Sequence, residues 1–323
     1  MMRQRFRRLC GSAAILFIFV WMGFAIAEDL TPRQLLTQSK RIMFLGDSIT
    51  YSGQYIASFD AWLVTELRDK APKLIDCGLP SETVSGLSED GHAGGQFPRP
   101  DLAERLNRVL NEVKPDLVIA CYGINCGIYE PFDDTRLARY QHGMKHLKAA
   151  VEKAGAKFVV MTPPFYDDVR SPRKFSYNEV LDRYSDWLLD QRKQGWNVID
   201  LHAPMTQAIA ERRKTEPPYT MQPDGVHPND DGHWFIAQQV IRWAGDEKAA
   251  SSASPKQMLV ERHVSETLLP LVQQRLSVLR DAYVSAAGHL RPGVAKGLPV
   301  AEAEAKAAEL SVKISALLDH PPK

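Results

Sequence analysis

The sequence predicts an α/β fold with a five-stranded parallel sheet, helices on both faces of the sheet and a C-terminal helical extension. Five short apolar runs alternate with segments of helical periodicity. The central runs are apolar enough to be buried on both faces, and loops rich in Gly, Pro, Asn and Asp follow them. This alternation is typical of parallel sheets whose strands are joined by right-handed helical crossovers.

The first 27 residues have the composition of a secretory signal peptide. Four arginines precede an apolar run at residues 13–26, and Ala25-Ile26-Ala27 places small residues at the two positions that signal peptidase reads. The apolar run spans about 14 residues, whereas a membrane-spanning helix needs about 20. We therefore expect cleavage after Ala27 rather than an uncleaved anchor. The mature chain is expected to be secreted or periplasmic, without stable membrane insertion.

The charge balance argues against a nucleic-acid partner. The chain has 40 basic and 39 acidic residues, and residues 1–27 hold four of the basic ones and none of the acidic ones, so the remaining 296 residues carry 36 − 39 = −3. No segment after residue 27 concentrates Lys and Arg as contact with a phosphate backbone requires. We expect a small-molecule or polysaccharide substrate instead, and the oligomeric state is left open.

Cysteine usage predicts neither a disulfide scaffold nor a zinc site. Cys77, Cys121 and Cys126 are the cysteines that follow residue 27, and no two have the CxxC spacing. Because three is an odd number, at least one thiol stays unpaired. The pairing of the other two is left open.

The first strand, turn and helix lie within residues 41–67. Ile42 to Leu45 form an apolar strand, and Gly46-Asp47-Ser48 forms a sharp turn. The following helix has one apolar face made of Ile56, Phe59, Leu63 and Leu67. Such a turn lies at the carboxyl end of its strand, where ligands bind in α/β sheets. Ser48 is therefore a candidate nucleophile, with a simple helix-capping serine as the alternative.

Four further strands are predicted at residues 73–77, 115–122, 157–161 and 196–201. Helices are predicted from about residue 101 to 113, from near Asp134 to Gly155, and from Ser176 to Gly195. Ser176 and Glu179 have the spacing of a helix-capping box. The Gly- and Pro-rich loop at residues 84–100 is long enough to form a wall of a substrate cleft.

The composition changes after Gly245. Residues 28–245 are expected to form the main domain, residues 246–256 a linker of small and polar residues, and residues 257–323 the helical extension. Helical patterns lie around residues 268–283 and 301–318. This region has no concentration of catalytic residue types, so we expect it to pack on the main domain, with a lid or a partner-binding arm as alternatives.

The predicted strand ends hold the groups that acyl transfer requires. The reaction needs a hydroxyl nucleophile, an imidazole base, a carboxylate that orients the imidazole, and donors to the developing oxyanion. Ser48, His227 and Asp224 match the first three requirements, and the last two lie close enough in sequence to meet within one loop. The Ser48 N–H and the Asn125 side-chain amide are candidate oxyanion donors.

Each of these residues also has a simpler interpretation. Asp224 fits a turn, His227 a surface histidine and Asn125 a left-handed turn position. His92 in the Gly-rich loop is either a substrate contact or an exposed loop histidine. A metal cluster is a further alternative for Asp224, His227, Asp230, Asp231 and His233. No second ligand group with a recognised spacing supports it, and we expect neither a metal nor an organic cofactor.

Three blocks of this sequence resemble the conserved blocks of the SGNH hydrolases, also called GDSL esterases and lipases. They are Gly46-Asp47-Ser48-Ile49, Gly123-Ile124-Asn125 and Asp224-Gly225-Val226-His227-Pro228. The resemblance covers about residues 40 to 245 and implies a flavodoxin-like three-layer α/β/α sandwich. It implies Ser48 as the nucleophile, Asp224 and His227 as its partners, and Asn125 as an oxyanion donor. Asp47 and Gly123, inside the matched blocks, are assigned supporting roles.

Two positions depart from the family pattern. Ser81, in the stretch from Gly78 to Thr83, stands where the family has a glycine that supplies a backbone donor; its N–H is retained, so Ser81 is kept as the third oxyanion donor. Cys126 follows Asn125 where the family has aspartate, which changes the groups that support this loop.

The function expected from these residues is an exported serine esterase that forms an acyl-enzyme at Ser48, with an acetyl ester of a carbohydrate as the favoured substrate. A lipase or thioesterase of the same type is one alternative. A non-catalytic glycan-binding module that retains the fold is another.

Overall fold

The computed structural model describes residues 30–320 and has the predicted sheet at its centre. The strands are Arg41–Gly46 (β1), Lys73–Asp76 (β2), Leu117–Cys121 (β3), Lys157–Met161 (β4) and Asn197–Ile199 (β5). All pairings are parallel, and the order is β2-β1-β3-β4-β5. This is the flavodoxin-like doubly wound order, so the predicted fold class is confirmed. The predicted signal peptide, residues 1–27, lies outside the described residues.

Twelve α-helices occur among residues 30–320. They are Pro32–Gln38 (α1), Ser48–Ser52 (α2), Gln54–Leu67 (α3), Leu102–Val113 (α4), Asp134–Lys153 (α5), Asn178–Asp190 (α6), His202–Arg213 (α7), Asp230–Trp243 (α8), Glu247–Ala250 (α9), Pro255–Glu261 (α10), Leu268–Ala287 (α11) and Val300–Asp319 (α12). Within this part of the chain, no helix has both the length and the apolar character that crossing a bilayer requires.

The middle of the sheet brings the ends of β1 and β3 together. Gly46, the last residue of β1, pairs with Cys121, the last residue of β3. The chain leaves these strands in opposite directions across the sheet, with β2 beside β1 and β4 beside β3. Their carboxyl ends therefore form the topological switch point at which doubly wound sheets bind ligands. Ser48 follows one of these strands and Asn125 the other.

Side-chain burial explains why these segments form strands and helices. Every residue of β3 is buried, as expected for a strand covered by helices on both faces. The helices α4 and α5 bury the apolar faces that their periodicity predicted, namely Leu102, Leu106, Val109, Val113, Tyr140, Met144, Leu147 and Val151.

The capping box predicted at Ser176 and Glu179 does not form. Helix α6 begins at Asn178, and the Ser176 hydroxyl donates to Asp168 Oδ2 at 2.5 Å. Asp168 Oδ1 also accepts the Tyr177 N–H at 2.9 Å. A carboxylate from the preceding loop thus takes up the donors at this end of the helix, and Glu179 stays exposed.

The prediction of a linker at residues 246–256 is wrong. Helix α9 and the start of α10 occupy this stretch, and Ala249 and Ala250 are buried. Asp246 caps α9, because one carboxylate oxygen accepts the Ala249 N–H at 2.9 Å. The other oxygen accepts the Trp62 indole N–H at 2.8 Å and contacts Arg262. The small and polar residues that indicated a linker serve here as helix caps and close-packing positions.

The C-terminal helices pack on the main domain, as expected. Helix α11 contacts α3, α4 and β2, so it covers one edge of the sheet, and α12 packs on α11. Arg275 of α11 makes two hydrogen bonds, of 2.9 and 2.7 Å, to the buried carboxylate of Asp60. Arg280 donates to the Tyr51 carbonyl at 2.7 Å and lies over its ring. Because Tyr51 belongs to α2, this contact also braces the helix that begins at Ser48.

Replacing Asp246 with asparagine is expected to lower the free energy of unfolding by about 1–3 kcal/mol at pH 7, because Trp62 and Arg262 lose a charged acceptor. Partial burial alone would raise the pKa of Asp246, but the hydrogen bonds from Ala249 and Trp62 and the charge of Arg262 hold it below the ordinary value of 3.8. The carboxylate therefore stabilises the fold above pH 3.8, and this contribution is lost as the pH falls through the lowered pKa. Urea unfolding at pH 7 and near pH 3 measures both effects.

The matched control is Asp190→Asn, which removes an exposed ion pair with Lys193. It is expected to change the stability little, because exposed pairs are well solvated. A loss for Asp246→Asn no larger than that of the control would contradict the structural role given to residue 246.

Candidate active site

Ser48 lies at the first position of a short helix, and Asp47 rather than Ser48 caps that helix. Asp47 Oδ1 accepts the Ile49 N–H at 3.0 Å. The turn requires a glycine at residue 46, because a Cβ there would lie 2.1 Å from Thr50 Oγ1. Because Asp47 is the cap, the capping interpretation of Ser48 is wrong, and the Ser48 hydroxyl is available for other contacts.

Ser48, His227 and Asp224 form one hydrogen-bonded chain. The Ser48 Oγ lies 2.8 Å from His227 Nε2, and His227 Nδ1 lies 2.7 Å from Asp224 Oδ2. Asp224 Oδ1 accepts the N–H groups of Val226 and His227, at 2.9 and 2.7 Å. The carboxylate thus holds the loop in a turn and fixes the orientation of the imidazole ring. The structure brings together the three residues that the sequence predicted.

The electrostatics of Asp224 favour its ionised form. Partial burial alone would raise the pKa of this carboxyl. The hydrogen bonds from the His227 ring and from two backbone N–H groups outweigh burial and lower the pKa. A carboxylate that stays ionised is the form that holds a histidine with Nδ1–H toward it and Nε2 toward a hydroxyl.

The loop after β3 presents the side-chain amide of Asn125. Gly123 has φ +148°, and a Cβ there would lie 2.7 Å from Pro163, so this turn needs glycine. The Tyr129 hydroxyl donates to Asn125 Oδ1 at 2.9 Å, and Asn125 Nδ2 donates to the Glu82 carbonyl at 3.3 Å. These contacts fix which way the amide points. Because an amide NH2 has two donors, the second N–H remains to serve a ligand.

Ser81 has a left-handed backbone conformation, which a glycine adopts without strain. Its φ is +68°, in the left-handed region that costs a residue with a side chain about 1 kcal/mol. It lines the same cavity as Ser48 and Asn125. The three predicted oxyanion donors therefore share one cavity.

A buried ion pair supports the loops that carry Ser81 and Asn125. Arg105 donates to both oxygens of Glu82, at 2.6 and 2.8 Å, and to the Cys77 carbonyl at 2.7 Å. The Tyr122 hydroxyl donates to Glu82 at 2.6 Å. Burial raises the pKa of Glu82, and its contacts with Arg105 and Tyr122 oppose that rise. The network joins the ends of β2 and β3 to the segment that accepts the Asn125 amide.

The loop at Cys126 is held mainly by its backbone. The Cys126 N–H donates to the Gly123 carbonyl at 2.9 Å, and the Ser85 hydroxyl donates to the Cys126 carbonyl at 3.2 Å. Burial raises the pKa of the Cys126 thiol to about 12, so it stays protonated. Cys77 and Cys121 are likewise buried and are not disulfide-bonded.

The residues considered as a metal cluster do not converge. Asp230 and Asp231 are exposed in the first turn of α8. His233 is buried, with Nε2 3.3 Å from Ser52 Oγ, and burial lowers its pKa to about 4. Within residues 30–320, no group of three or more His, Cys, Asp or Glu side chains has the arrangement of a metal site.

The predicted site residues open into a cavity of about 430 Å³. The Gly-rich loop forms part of its wall, as expected, and His92 lines it with a side chain that is only 11% exposed. Sequence reasoning missed the cationic and aromatic lining, which is Arg99, Tyr129, Tyr166, Arg170, Arg173 and Arg291. Most of these residues lie in the loops that follow β2, β3 and β4, so their position after strands was an available signal. No such signal marked Arg291 in the C-terminal extension.

A Ser-His-Asp hydrogen-bonded chain at the carboxyl edge of a doubly wound sheet is an arrangement found among the serine hydrolases. The chain belongs to the GDSL-like Lipase/Acylhydrolase family, whose sequence model matches residues 44–235. It is therefore a hydrolase of carboxylic esters, and the resemblance seen in the sequence is confirmed. The roles of the individual site residues stay predictions.

Several solved structures are similar to the chain. A gut microbial diltiazem-metabolizing enzyme is 19% identical with a TM-score of 0.52, over 64% of this chain and 47% of that one, so this chain spans about half of its length. A catalytic mutant of an acetylxylan esterase from Geobacillus stearothermophilus is 21% identical, with a TM-score of 0.49 over 64% and 94% of the two chains. The acetyl xylan esterase AlAXEase is 19% identical, with a TM-score of 0.49 over 62% and 98%. At this identity the first likeness shows the fold alone. No curated protein sequence matches the chain.

Removing the Tyr129 hydroxyl is expected to slow turnover. In Tyr129→Phe the ring remains, but the Asn125 amide loses the donor that orients it. We expect kcat to fall by about tenfold with a smaller change in KM, because the loss falls on a predicted oxyanion donor. Steady-state hydrolysis of an aryl acetate measures both constants.

Tyr283→Phe is the matched control, since it removes a hydroxyl that bonds Glu304 in the C-terminal helices. It is expected to keep the parent kcat. Equal rates for Tyr129→Phe and the parent would contradict the orienting role of the Tyr129 hydroxyl.

Asp47→Asn is expected to change how stability depends on pH. Burial raises the pKa of Asp47 from 3.8 to about 6, against the opposing effects of the Ile49 N–H and the nearby His227 and Arg99. The folded state thus favours the protonated form, whose stabilising contribution is complete below pH 3.8 and is lost as the pH rises through about 6. Asparagine keeps an acceptor for Ile49 but does not titrate.

Relative to the parent, Asp47→Asn should therefore gain up to about 3 kcal/mol of unfolding free energy between pH 4 and pH 8. Urea unfolding across this range measures the difference. Parallel pH profiles for variant and parent would show that residue 47 does not titrate in this way.

Proposed function

We propose that this chain is an exported serine esterase that hydrolyses acetyl esters of carbohydrates through an acyl-enzyme at Ser48. The observation that carries the proposal is the hydrogen-bonded chain from Ser48 Oγ to His227 Nε2 and from His227 Nδ1 to Asp224. It lies in a cavity that also holds the Asn125 amide. A nucleophile, its base and an oxyanion donor are thus within reach of one substrate carbonyl.

In the first half-reaction, Ser48 Oγ attacks the ester carbonyl carbon while His227 Nε2 takes the hydroxyl proton. Asp224 stabilises the resulting imidazolium through the bond to Nδ1–H. The negative charge that forms on the carbonyl oxygen is met by the N–H groups of Ser48 and Ser81 and by the Asn125 amide. Collapse of the intermediate breaks the ester C–O bond, and His227 returns the proton to the departing alcohol.

In the second half-reaction, water hydrolyses the ester between Ser48 and the acyl group. His227 Nε2 takes a proton from the water as its oxygen attacks the acyl carbon. The same three donors meet the second oxyanion. Release of the carboxylic acid returns the proton to Ser48 Oγ, so the enzyme ends unchanged.

The lining of the cavity supports a small polar substrate. Guanidinium, carboxylate, hydroxyl and amide groups line the wall beside proline and tyrosine rings, and the volume of about 430 Å³ suits a ligand the size of a sugar residue. An exported location is part of the proposal, and its support is the arginine-rich and apolar composition of residues 1–27.

Hydrolysis of longer acyl esters is the second candidate. Val169 and Leu290 are 76% and 75% exposed, and each is the neighbour in sequence of an arginine that lines the cavity. Two exposed aliphatic side chains beside a cleft give a longer chain some apolar surface to contact. The lengths of the acyl groups that the enzyme accepts separate this candidate from the first.

A fluorophosphonate probe tests the nucleophile. The parent is expected to gain one covalent adduct by mass spectrometry, and Ser48→Ala is expected to gain none and to lose at least about 10⁴-fold in kcat. Ser52→Ala is the matched control, because Ser52 lies on the same helix and bonds His233 instead. It should label like the parent.

An ester panel run beside the labelling tests the substrate class. Acetylated xylan and 4-nitrophenyl acetate are expected to be hydrolysed faster than octanoyl esters. A preference for the octanoyl ester would favour the second candidate, and a parent protein that neither labels nor turns over any ester would leave a non-catalytic binding module.

A further inference from the structure

The cavity that holds the candidate site is lined by more arginines than carboxylates. Four arginines line it, whereas its carboxylates are Glu89 and Asp224. Both carboxylates have partners, since Glu89 pairs with Arg99 at 2.6 Å and Asp224 with His227 at 2.7 Å. The lining thus carries more positive than negative charge.

The other three arginines have neutral partners. Arg173 donates to the Tyr129 carbonyl at 3.1 Å and to the Tyr166 hydroxyl at 2.6 Å. Arg170 donates to the Pro218 carbonyl at 2.7 Å, and Arg291 lies over the ring of Phe97. Among residues 30–320, none of these three forms a salt bridge within 4.0 Å. No carboxylate of residues 30–320 therefore lies within salt-bridge distance of these charges, and a guanidinium has five donors, more than these contacts use.

Arg170 and Arg173 both line the cavity, and their loop contacts the loop that carries His227. They belong to the loop that contains Tyr166 and Asp167, and the Asp167 N–H donates to the Gly225 carbonyl at 2.9 Å. That contact joins their loop to the one that carries His227. In the proposed reaction the acyl group is acetyl, which carries no charged group, so a charged group of the substrate that meets these arginines belongs to its alcohol portion.

We propose that the substrate carries a carboxylate on its alcohol portion, as an acetylated uronic-acid glycan does, and that Arg170 and Arg173 bind this group. This inference rests on the proposed function, because it takes the acyl group to be acetyl. Guanidinium groups bind carboxylates through paired charge-assisted hydrogen bonds, and a neutral sugar offers no such partner.

Matched aryl esters test the charge preference. The probes are 3-acetoxybenzoate, its methyl ester, 3-acetoxybenzenesulfonate and the 3-acetoxyphenyltrimethylammonium ion, each corrected for its spontaneous hydrolysis. We expect kcat/KM for the benzoate to exceed that for the methyl ester by at least about tenfold at low salt. The preference should shrink in 0.5 M NaCl, because salt screens exposed charges. The sulfonate shows whether any anion suffices or the geometry of a carboxylate is needed.

Substitution of each arginine tests whether Arg170 and Arg173 cause the preference for the benzoate. In Arg173→Gln and in Arg170→Gln, the ratio of kcat/KM for the benzoate to that for the methyl ester should fall by several-fold to about tenfold, mainly through KM. Lys174→Gln is the matched control, since Lys174 is an exposed cation next to Arg173 that does not line the cavity. It should keep the parent ratio. Two arginine variants keep the test informative if one of them folds poorly.

A binding experiment tests this inference independently of the proposed reaction. Titration of trigalacturonate into Ser48→Ala, followed by calorimetry, needs no turnover, and binding that Arg173→Gln weakens would support the inference even if the esterase proposal failed. Equal or faster hydrolysis of the methyl ester or the cationic ester, or the same ratio in Arg173→Gln, Arg170→Gln and Lys174→Gln, would overturn it while leaving the esterase intact.

Discussion

The parallel pairing of β1 with β3 is the constraint on which the site depends. Because Gly46 and Cys121 are register partners at the strand ends, the turn at Ser48 and the loop at Asn125 begin side by side. The pairing of the two strands thus brings Ser48 and Asn125 close together although they are distant in sequence. The loops that follow β2 and β4 begin at the same edge of the sheet, and the hydrogen bond between Asp167 and Gly225 joins the 224–227 loop to the loop after β4.

Strand register brings the loops together, and buried charge then holds their shape. Arg105, Glu82 and Tyr122 are removed from water at a large desolvation cost, which several short hydrogen bonds offset. A hydrophobic set of similar volume would fill the same space, but it would not fix the Glu82 carbonyl that accepts the Asn125 amide. Fixed donors need little reorganisation when charge develops on a substrate oxygen. The network therefore fixes the positions of the Glu82 carbonyl and the Asn125 amide at least as much as it stabilises the fold.

The sequence was sufficient where a pattern is local. Apolar runs located the five strands, and one short loop containing both Asp224 and His227 located the acid–base pair. It failed at residues 246–256 and at Ser176, because the same small or polar residues form a linker or a helix cap depending on partners such as Trp62 and Asp168. It also missed Arg291, since nothing in the local sequence of the C-terminal extension indicates that this arginine faces the cavity. Those assignments depend on tertiary contacts.

The C-terminal helices show how far the site extends beyond the part of the chain that the family model matches. The match ends at residue 235, yet Arg280 of α11 braces α2 through Tyr51, three residues after Ser48, and Arg291 lines the cavity. The matched region supplies the residues of the proposed reaction, which require one fixed geometry. The extension supplies a cation at the rim and support behind the helix of Ser48. In the proposed reaction the rim contacts the parts of the substrate that do not react, so a segment outside the matched region can set which ester is accepted without altering how it is cleaved.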